Sequence, residues 1–235
     1  MNEWADWMWK VANMRAQQRS GCMYDLLMRL PLLGWVLLSA MAQAKGLFPF
    51  FIIGGPIDLA YVVHLGMRVS TIGFLLLAAV AVILRSRPSS KAGGLEPRIT
   101  ALAGGFTMNA IALFPRHELS LSLEMVSTLL VLIGSVGAIV ALSQLGRSFS
   151  VMSETRHLVT TGPYRFVRHP LYLTEQIAII GVFIQFASVW TGLLLAGQIA
   201  FQLRRMHNEE SVLTASFPEY SAYRQTTARL IPGIY

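Results

Sequence analysis

"LYLTEQIAIIGVFIQFASVWTGLLLAGQIAFQ", residues 171–202, decides how this chain is read. These are 32 almost continuously apolar residues. As a single helix, at about 1.5 Å per residue, they would reach about 48 Å. That is far longer than a bilayer core of about 30 Å. QFASVW (185–190) offers a break. The spacing therefore predicts a tight helical hairpin whose second arm leaves the membrane through RRMHNEESVL (204–213).

Working outward, four more apolar runs are long enough to be spans: 26–44, 61–84, 99–114 and 119–145. The run at 99–114 is short and carries glycine. The run at 119–145 holds Gly134 and Gly137, small residues that let two helices approach closely. A polar linker, RSRPSSKAGGLEPR, covers 85–98. Only 13% of the 235 residues are charged and 54% are hydrophobic, whereas a soluble domain carries about 25% charged residues. The fold class expected is all-α: a polytopic integral membrane protein with four spans plus a C-terminal hairpin. Three parts are expected: an interfacial amphipathic segment at 1–25, the four spans at 26–145, and a C-terminal core at 146–235. The first part holds Glu3, Asp6 and three tryptophans where a cleavable signal would need a basic and then an apolar stretch.

The net charge of +7 does not point to nucleic acid, because the basic residues cluster at the ends of apolar runs. If the spans alternate, fifteen of the 19 Lys and Arg fall on one side. They precede the first run (Lys10, Arg15, Arg19), join the second to the third (Arg85, Arg87, Lys91, Arg98), follow the fourth (Arg147, Arg156, Arg165, Arg168) and follow the hairpin (Arg204, Arg205, Arg224, Arg229). That side is expected to be cytoplasmic, with both ends of the sequence on it. Arg29 is expected to reach the same side. His64 and Arg68, near the end of the second run, are expected to snorkel to the opposite one. One cysteine, Cys22, allows no intrachain disulfide, and the five histidines show no metal-binding spacing, so no metal is expected.

Two blocks on the basic side could carry chemistry. The first is GRSFSVMSETRHLVTTGPYRFVRHPLYL (146–173). Gly162-Pro163 is a turn signal, and Pro170 suits the first turn of a helix. The second is RRMHNEESVLTASFPEYSAYR (204–224), in which Arg205 and Glu209 share a helix face. Two readings of each block stand side by side: basic residues anchoring a membrane edge, or a polar site. The hairpin brings the two blocks together, since its arms begin and end at the same face.

LVTTGPYRFVRHPLY, a helical hairpin, and then an arginine four residues before the first glutamate of NEE, with EY and IPG beyond it, resemble the integral-membrane methyltransferases. Their type is isoprenylcysteine carboxyl methyltransferase, and the phospholipid amine methyltransferases share the C-terminal core. The resemblance covers roughly 142–235. It implies S-adenosylmethionine as cofactor, held by Arg156, His157, Leu158, Val159, Tyr164, His169, Pro170, Leu171, Tyr172 and Glu209. Arg205 would act at the substrate, a lipophilic or lipidated acceptor drawn from the membrane. This chain has Pro218 where the family often has glycine. The acceptor stays open between an isoprenylcysteine carboxylate, a phospholipid amine, and a small thiol or isoprenoid acid. Two other classes remain: an NADPH-dependent sterol-type reductase, which shares an ending like Arg229, Ile231, Pro232, Gly233 and Tyr235, and a non-enzymatic membrane scaffold or transporter. The latter would usually show intramembrane charges and inverted repeats, and here the carboxylates within apolar runs are Glu124 and Glu175, near their ends.

Overall fold

A computed structural model describes residues 29–48, 52, 57–84, 86, 90–150, 152, 154–155 and 157–233. The expected interfacial segment 1–25 and Arg156 lie outside the described residues.

Among the described residues seven helices follow in order: α1 (29–45), α2 (Leu59–Leu84), α3 (Glu96–Phe106), α4 (Leu121–Leu145), α5 (Pro170–Gln185), α6 (Val189–Ser216) and α7 (Tyr220–Thr226). The extended structure among the described residues is a two-residue antiparallel pair, β1 (Ser90–Lys91) with β2 (Glu154–Thr155), and one isolated bridge between Val167 and Ala228. Leu59–Leu84 and Leu121–Ser148 are long and apolar enough to cross a membrane. Their outward faces carry exposed aliphatic side chains, among them Leu76, Val80 and Ile83 on α2 and Ile133, Val136 and Val140 on α4. An apolar surface of that extent calls for a nonpolar surrounding.

The break expected at 185–190 falls at residues 186–188. Ser188 starts α6 with a capping box: its hydroxyl accepts from the Thr191 backbone N–H, and the Thr191 hydroxyl accepts in return from the N–H of Ser188. Two orphan donors of the helix start are satisfied this way. The hairpin is not a tight pair, however. α5 lies along α4 and α6 lies along α3, while α5 and α6 touch each other sparsely. The reason is small residues on α4 and α5. A Cβ added to Gly134 would sit 2.5 Å from the Ala178 backbone nitrogen, and one on Gly181 would sit 2.7 Å from the Ser127 carbonyl oxygen. The α4 backbone thus offers α5 a closer fit than α6 does. Ser127 Oγ donates to the Gly181 carbonyl at 2.8 Å, and Gln185 Nε2 donates back to Ser127 at 2.7 Å. Gly134→Leu should therefore force α4 and α5 apart and cost at least about 1–3 kcal/mol. Thermal unfolding in detergent checks this; an unchanged midpoint would mean the two helices are not packed through Gly134.

Three further expectations are refined. The third apolar run is an α-helix only to Phe106 and then tightens into a 3-10 segment, Thr107–Leu113. Gly104 and Gly105 weaken the helix there, and Gly104 lets α6 come close, since a Cβ on it would meet Gln202 Oε1 at 3.0 Å. The 85–98 linker is fastened rather than free. Its β1 pairs with β2 of the first block, and the Ser86 N–H donates to the Arg147 carbonyl at 3.0 Å. His64 is engaged near the first end of its span: its Nε2 lies 3.5 Å from Glu124 Oε1, in the first turn of α4, which also receives Arg116 at 3.4 Å. Arg29 donates to the Ile83 carbonyl at 2.8 Å, at the α2 end that leads into the basic linker.

Candidate functional site

The first block is shaped by its turns. Gly162 has φ +59°, a conformation few side chains tolerate, and a Cβ there would also strike Gln144 at 2.9 Å. Pro163 then opens a 3-10 turn, Gly162–Arg165, which buries Tyr164. Pro170 starts α5 without wasting a backbone donor. The three residues of Pro170, Leu171 and Tyr172 are buried at this end.

The second block meets the first through two adjacent carboxylates. Successive residues on a helix point about 100° apart, so Glu209 and Glu210 face different partners. Glu210 is buried and lies 2.9 Å from Arg168 Nε, 3.1 Å from His169 Nε2 and 3.2 Å from Arg229 Nε. Burial alone would raise its pKa. The hydrogen bond from His169, with the charges of His169, Arg229 and Arg168, instead brings it down to about 2. Arg168 reaches further and donates to the carbonyls of Arg224 and Thr227 at 2.8 and 2.7 Å. The backbone N–H groups of Arg168 and His169 donate to the carbonyls of Ala228 and Arg229. The tail is thereby stitched to the 164–169 turn.

Glu209 faces the other way. Its Oε1 accepts from the Tyr172 hydroxyl and, at 3.1 Å, from Arg205 Nε. The Arg205 guanidinium lies 4.7 Å from the Tyr172 ring centre and donates to the Ser150 carbonyl at 3.4 Å. It is 4% exposed, so its charge is held by the protein and not by bulk water. His169 stacks on Tyr172 with ring centres 5.5 Å apart.

These elements enclose one cavity of about 800 Å³, its open mouth included. His157, Leu158, Val159, Tyr164, His169, Leu171, Tyr172 and Glu209 all line it. Pro170 begins the helix behind the wall, and Arg205 sits behind Glu209 and Tyr172. Phe149, Ser150, Met152, Leu213, Tyr220 and Tyr223 also line the cavity, and the sequence did not single them out. Their signal was thin: scattered aromatics in a tail that reads as a surface helix. Tyr220 is 1% exposed and its hydroxyl has no hydrogen-bond partner among the described residues. Burial pushes the Tyr223 phenol up to about 12, and its hydroxyl donates to the Tyr164 carbonyl. Both tyrosines are therefore neutral donors at ordinary pH. Among the described residues no three His, Cys, Asp or Glu side chains gather as metal ligands.

The arrangement combines apolar walls with a few fixed polar groups, the usual make-up of a small-molecule site. Residues 126–215, which hold most of it, match the sequence model of the Isoprenylcysteine carboxyl methyltransferase (ICMT) family. That segment is thus similar to a family of membrane methyltransferases. Tyr220, Tyr223 and Arg229 lie beyond the matched residues, yet they close the cavity or lock its wall.

The chain is 31% identical over 116 residues to the nickel-cobalt-cadmium resistance protein NccN of Alcaligenes xylosoxydans xylosoxydans, covering 46% of this chain and 53% of that protein. It is 32% identical over 116 residues to the cobalt-zinc-cadmium resistance protein CzcN of Cupriavidus metallidurans, covering 46% and 52%. The chain thus spans about half the length of the curated relatives it matches.

Proposed function

We propose that this chain is an S-adenosylmethionine-dependent methyltransferase that acts on a lipophilic acceptor. The observation that carries the proposal is the convergence of the first block, α5 and α6 on one cavity, with Glu209 on its wall and Arg205 directly behind. The donor set fits the cofactor. Glu209 suits an ammonium or a ribose hydroxyl pair, and the partnerless Tyr220 hydroxyl offers a hydrogen bond to a carboxylate or ring nitrogen. Tyr164, Leu158, Val159 and Leu171 give apolar contact to an adenine, and His157 stands at the exposed rim. Bound there, the cofactor supplies a methyl group activated by its sulfonium charge. In-line transfer needs cofactor and nucleophile held close and aligned, which the Glu210 clamp on the pocket wall serves. Arg205 would meet the acceptor's polar head on the membrane side.

The same reading divides the chain into a core at 146–235, four spans at 26–145 and an interfacial segment at 1–25. The excess of Lys and Arg on the site's side supports a cytoplasmic cavity, with both ends of the given sequence on that side.

Calorimetry on detergent-solubilised protein tests the cofactor. S-adenosylhomocysteine should bind, and Glu209→Gln should weaken it roughly ten- to hundredfold, the equivalent of a charged hydrogen bond of about 1.5–3 kcal/mol. Binding of a nicotinamide dinucleotide in its place would hand the site to the reductase class.

A further inference from the structure

Glu209 has a neighbour on each side along α6, and both are anchored. Glu210 takes Arg168, His169 and Arg229. Asn208 faces α3, and the cofactor reading does not use it. Its Nδ2 donates to both carboxylate oxygens of Glu96, at 3.3 and 3.1 Å, and to Thr100 Oγ1 at 3.2 Å. Glu96 also accepts from Arg204 Nε at 2.7 Å. Arg204 and Glu96 are exposed, and an ion pair in water contributes little. Asn208 and Thr100 are buried, so the amide is the part of this contact that has no water to fall back on. Successive residues of a helix fan out by about 100°. Asn208 is thereby fixed on α3 and Glu210 on the 164–169 turn, with Glu209 aimed between them at the cavity.

Shape does little to set how α6 is rolled against α3. Glu96, Thr100 and Gly104 are spaced by four and share a face. The buried residues of α3 are Thr100, Ala101 and Gly104, all small. They raise no ridge that could lock into a groove of the partner helix. Gly104 also brings the two backbones close, since a Cβ there would meet the Gln202 nitrogen at 3.3 Å. The hairpin partner α5 touches α6 sparsely. Side-chain tips stand about 5–6 Å from a helix axis, so a roll of about 20° would carry the Glu209 carboxylate about 2 Å. Its hydrogen bond from Arg205 would survive, because both residues ride on α6. Its hydrogen bond from Tyr172 crosses from α5 and would break.

We infer that Asn208, held by Glu96 and Thr100, is a positioning residue that aims Glu209 into the cavity. This rests on the cofactor reading of Glu209. Asn208 acts through the rotation of α6, from behind the wall. The helix that holds it, α3, lies outside the matched residues 126–215, so the site depends on a part of the chain beyond the matched segment.

Calorimetry with S-adenosylhomocysteine on the full chain in detergent tests this. Glu96→Ala should weaken binding about tenfold, the low end of the loss expected for Glu209→Gln. Glu96 is exposed, so this variant should keep a cooperative thermal transition even where the buried Asn208→Ala does not. Arg204→Gln removes only the exposed ion pair and should stay within about twofold of wild type. A residue that acts through Glu209 has nothing to act on once Glu209 is replaced. Adding Glu96→Ala to Glu209→Gln should therefore cost less than about twofold more. Asn208→Asp sets two carboxylates face to face and should weaken binding. Adding Glu96→Gln to it restores a donor and an acceptor across the gap, in reversed order, and should bring affinity back to within about threefold of wild type. Wild-type affinity in Glu96→Ala, equal losses with and without Glu209, or no recovery in the swapped pair overturns the inference and leaves the cofactor reading standing. Failure of the wild type to bind S-adenosylhomocysteine defeats that reading and the inference with it.

Discussion

Glu210→Ala should destabilise the protein by about 3–5 kcal/mol and empty the cavity of its ligand. The carboxylate stands among Arg168, His169 and Arg229 at 2.9–3.2 Å, and its side chain is 6% exposed. Removing it leaves these neighbours buried against one another, the situation in which breaking a buried ion pair costs most. Arg168 also holds the Arg224 and Thr227 carbonyls, so the tail carrying Tyr220 and Tyr223 loosens with it. Thermal unfolding in detergent and S-adenosylhomocysteine affinity should fall together. The titration has a definite direction. The folded-state pKa of about 2 lies below the ordinary 4.5, so the clamp's contribution is complete above about pH 4.5 and is lost as pH falls towards 2. That difference is worth about 3 kcal/mol. In wild type the unfolding midpoint should drop across this window; in Glu210→Ala the drop should be much smaller. Equal acid sensitivity in the two proteins would mean that Glu210 does not hold the tail.

Arg205→Lys should lower the methylation rate a hundredfold or more, although the charge is kept. A guanidinium is planar and makes directed contacts from several nitrogens, which an ammonium cannot reproduce. Here Nε donates to Glu209 and Nη2 to the Ser150 carbonyl while the plane covers the Tyr172 ring at 4.7 Å. A lysine could reach Glu209 but not all three together. Misplacing the acceptor by about 1 Å can cost a hundredfold, so the loss should appear in kcat. S-adenosylhomocysteine affinity should change far less than it does in Glu209→Gln. Methylation at the wild-type rate by Arg205→Lys would reduce Arg205 to a basic residue at the membrane edge.

Two of the expected spans, the break in the hairpin and the meeting of two polar blocks were legible in the sequence by itself, the spans being those that became the helices over 59–84 and 121–148. Each follows from local physics. Apolar run length against bilayer thickness marks candidate spans; 32 residues are too long for one of them, so the chain must turn within about 185–190; and a turn returns residues 204–213 to the face where 162–173 lies. Most residues named from the family likeness, His157 to Val159, Tyr164, His169, Leu171, Tyr172 and Glu209, do come together around one cavity. What only the tertiary structure decided is the pairing of faces. A helical period says which residues share a face and not what that face will meet. The glutamate doublet could not show that Glu210 would take Arg168, His169 and Arg229 while Glu209 took Tyr172 and Arg205. That split depends on how α6 is rotated against α3 and α5. Nor could the apolar pattern show that α5 would leave α6 for α4, because the choice rests on backbone approach at Gly134 and Gly181, where a single methyl group would have closed the gap.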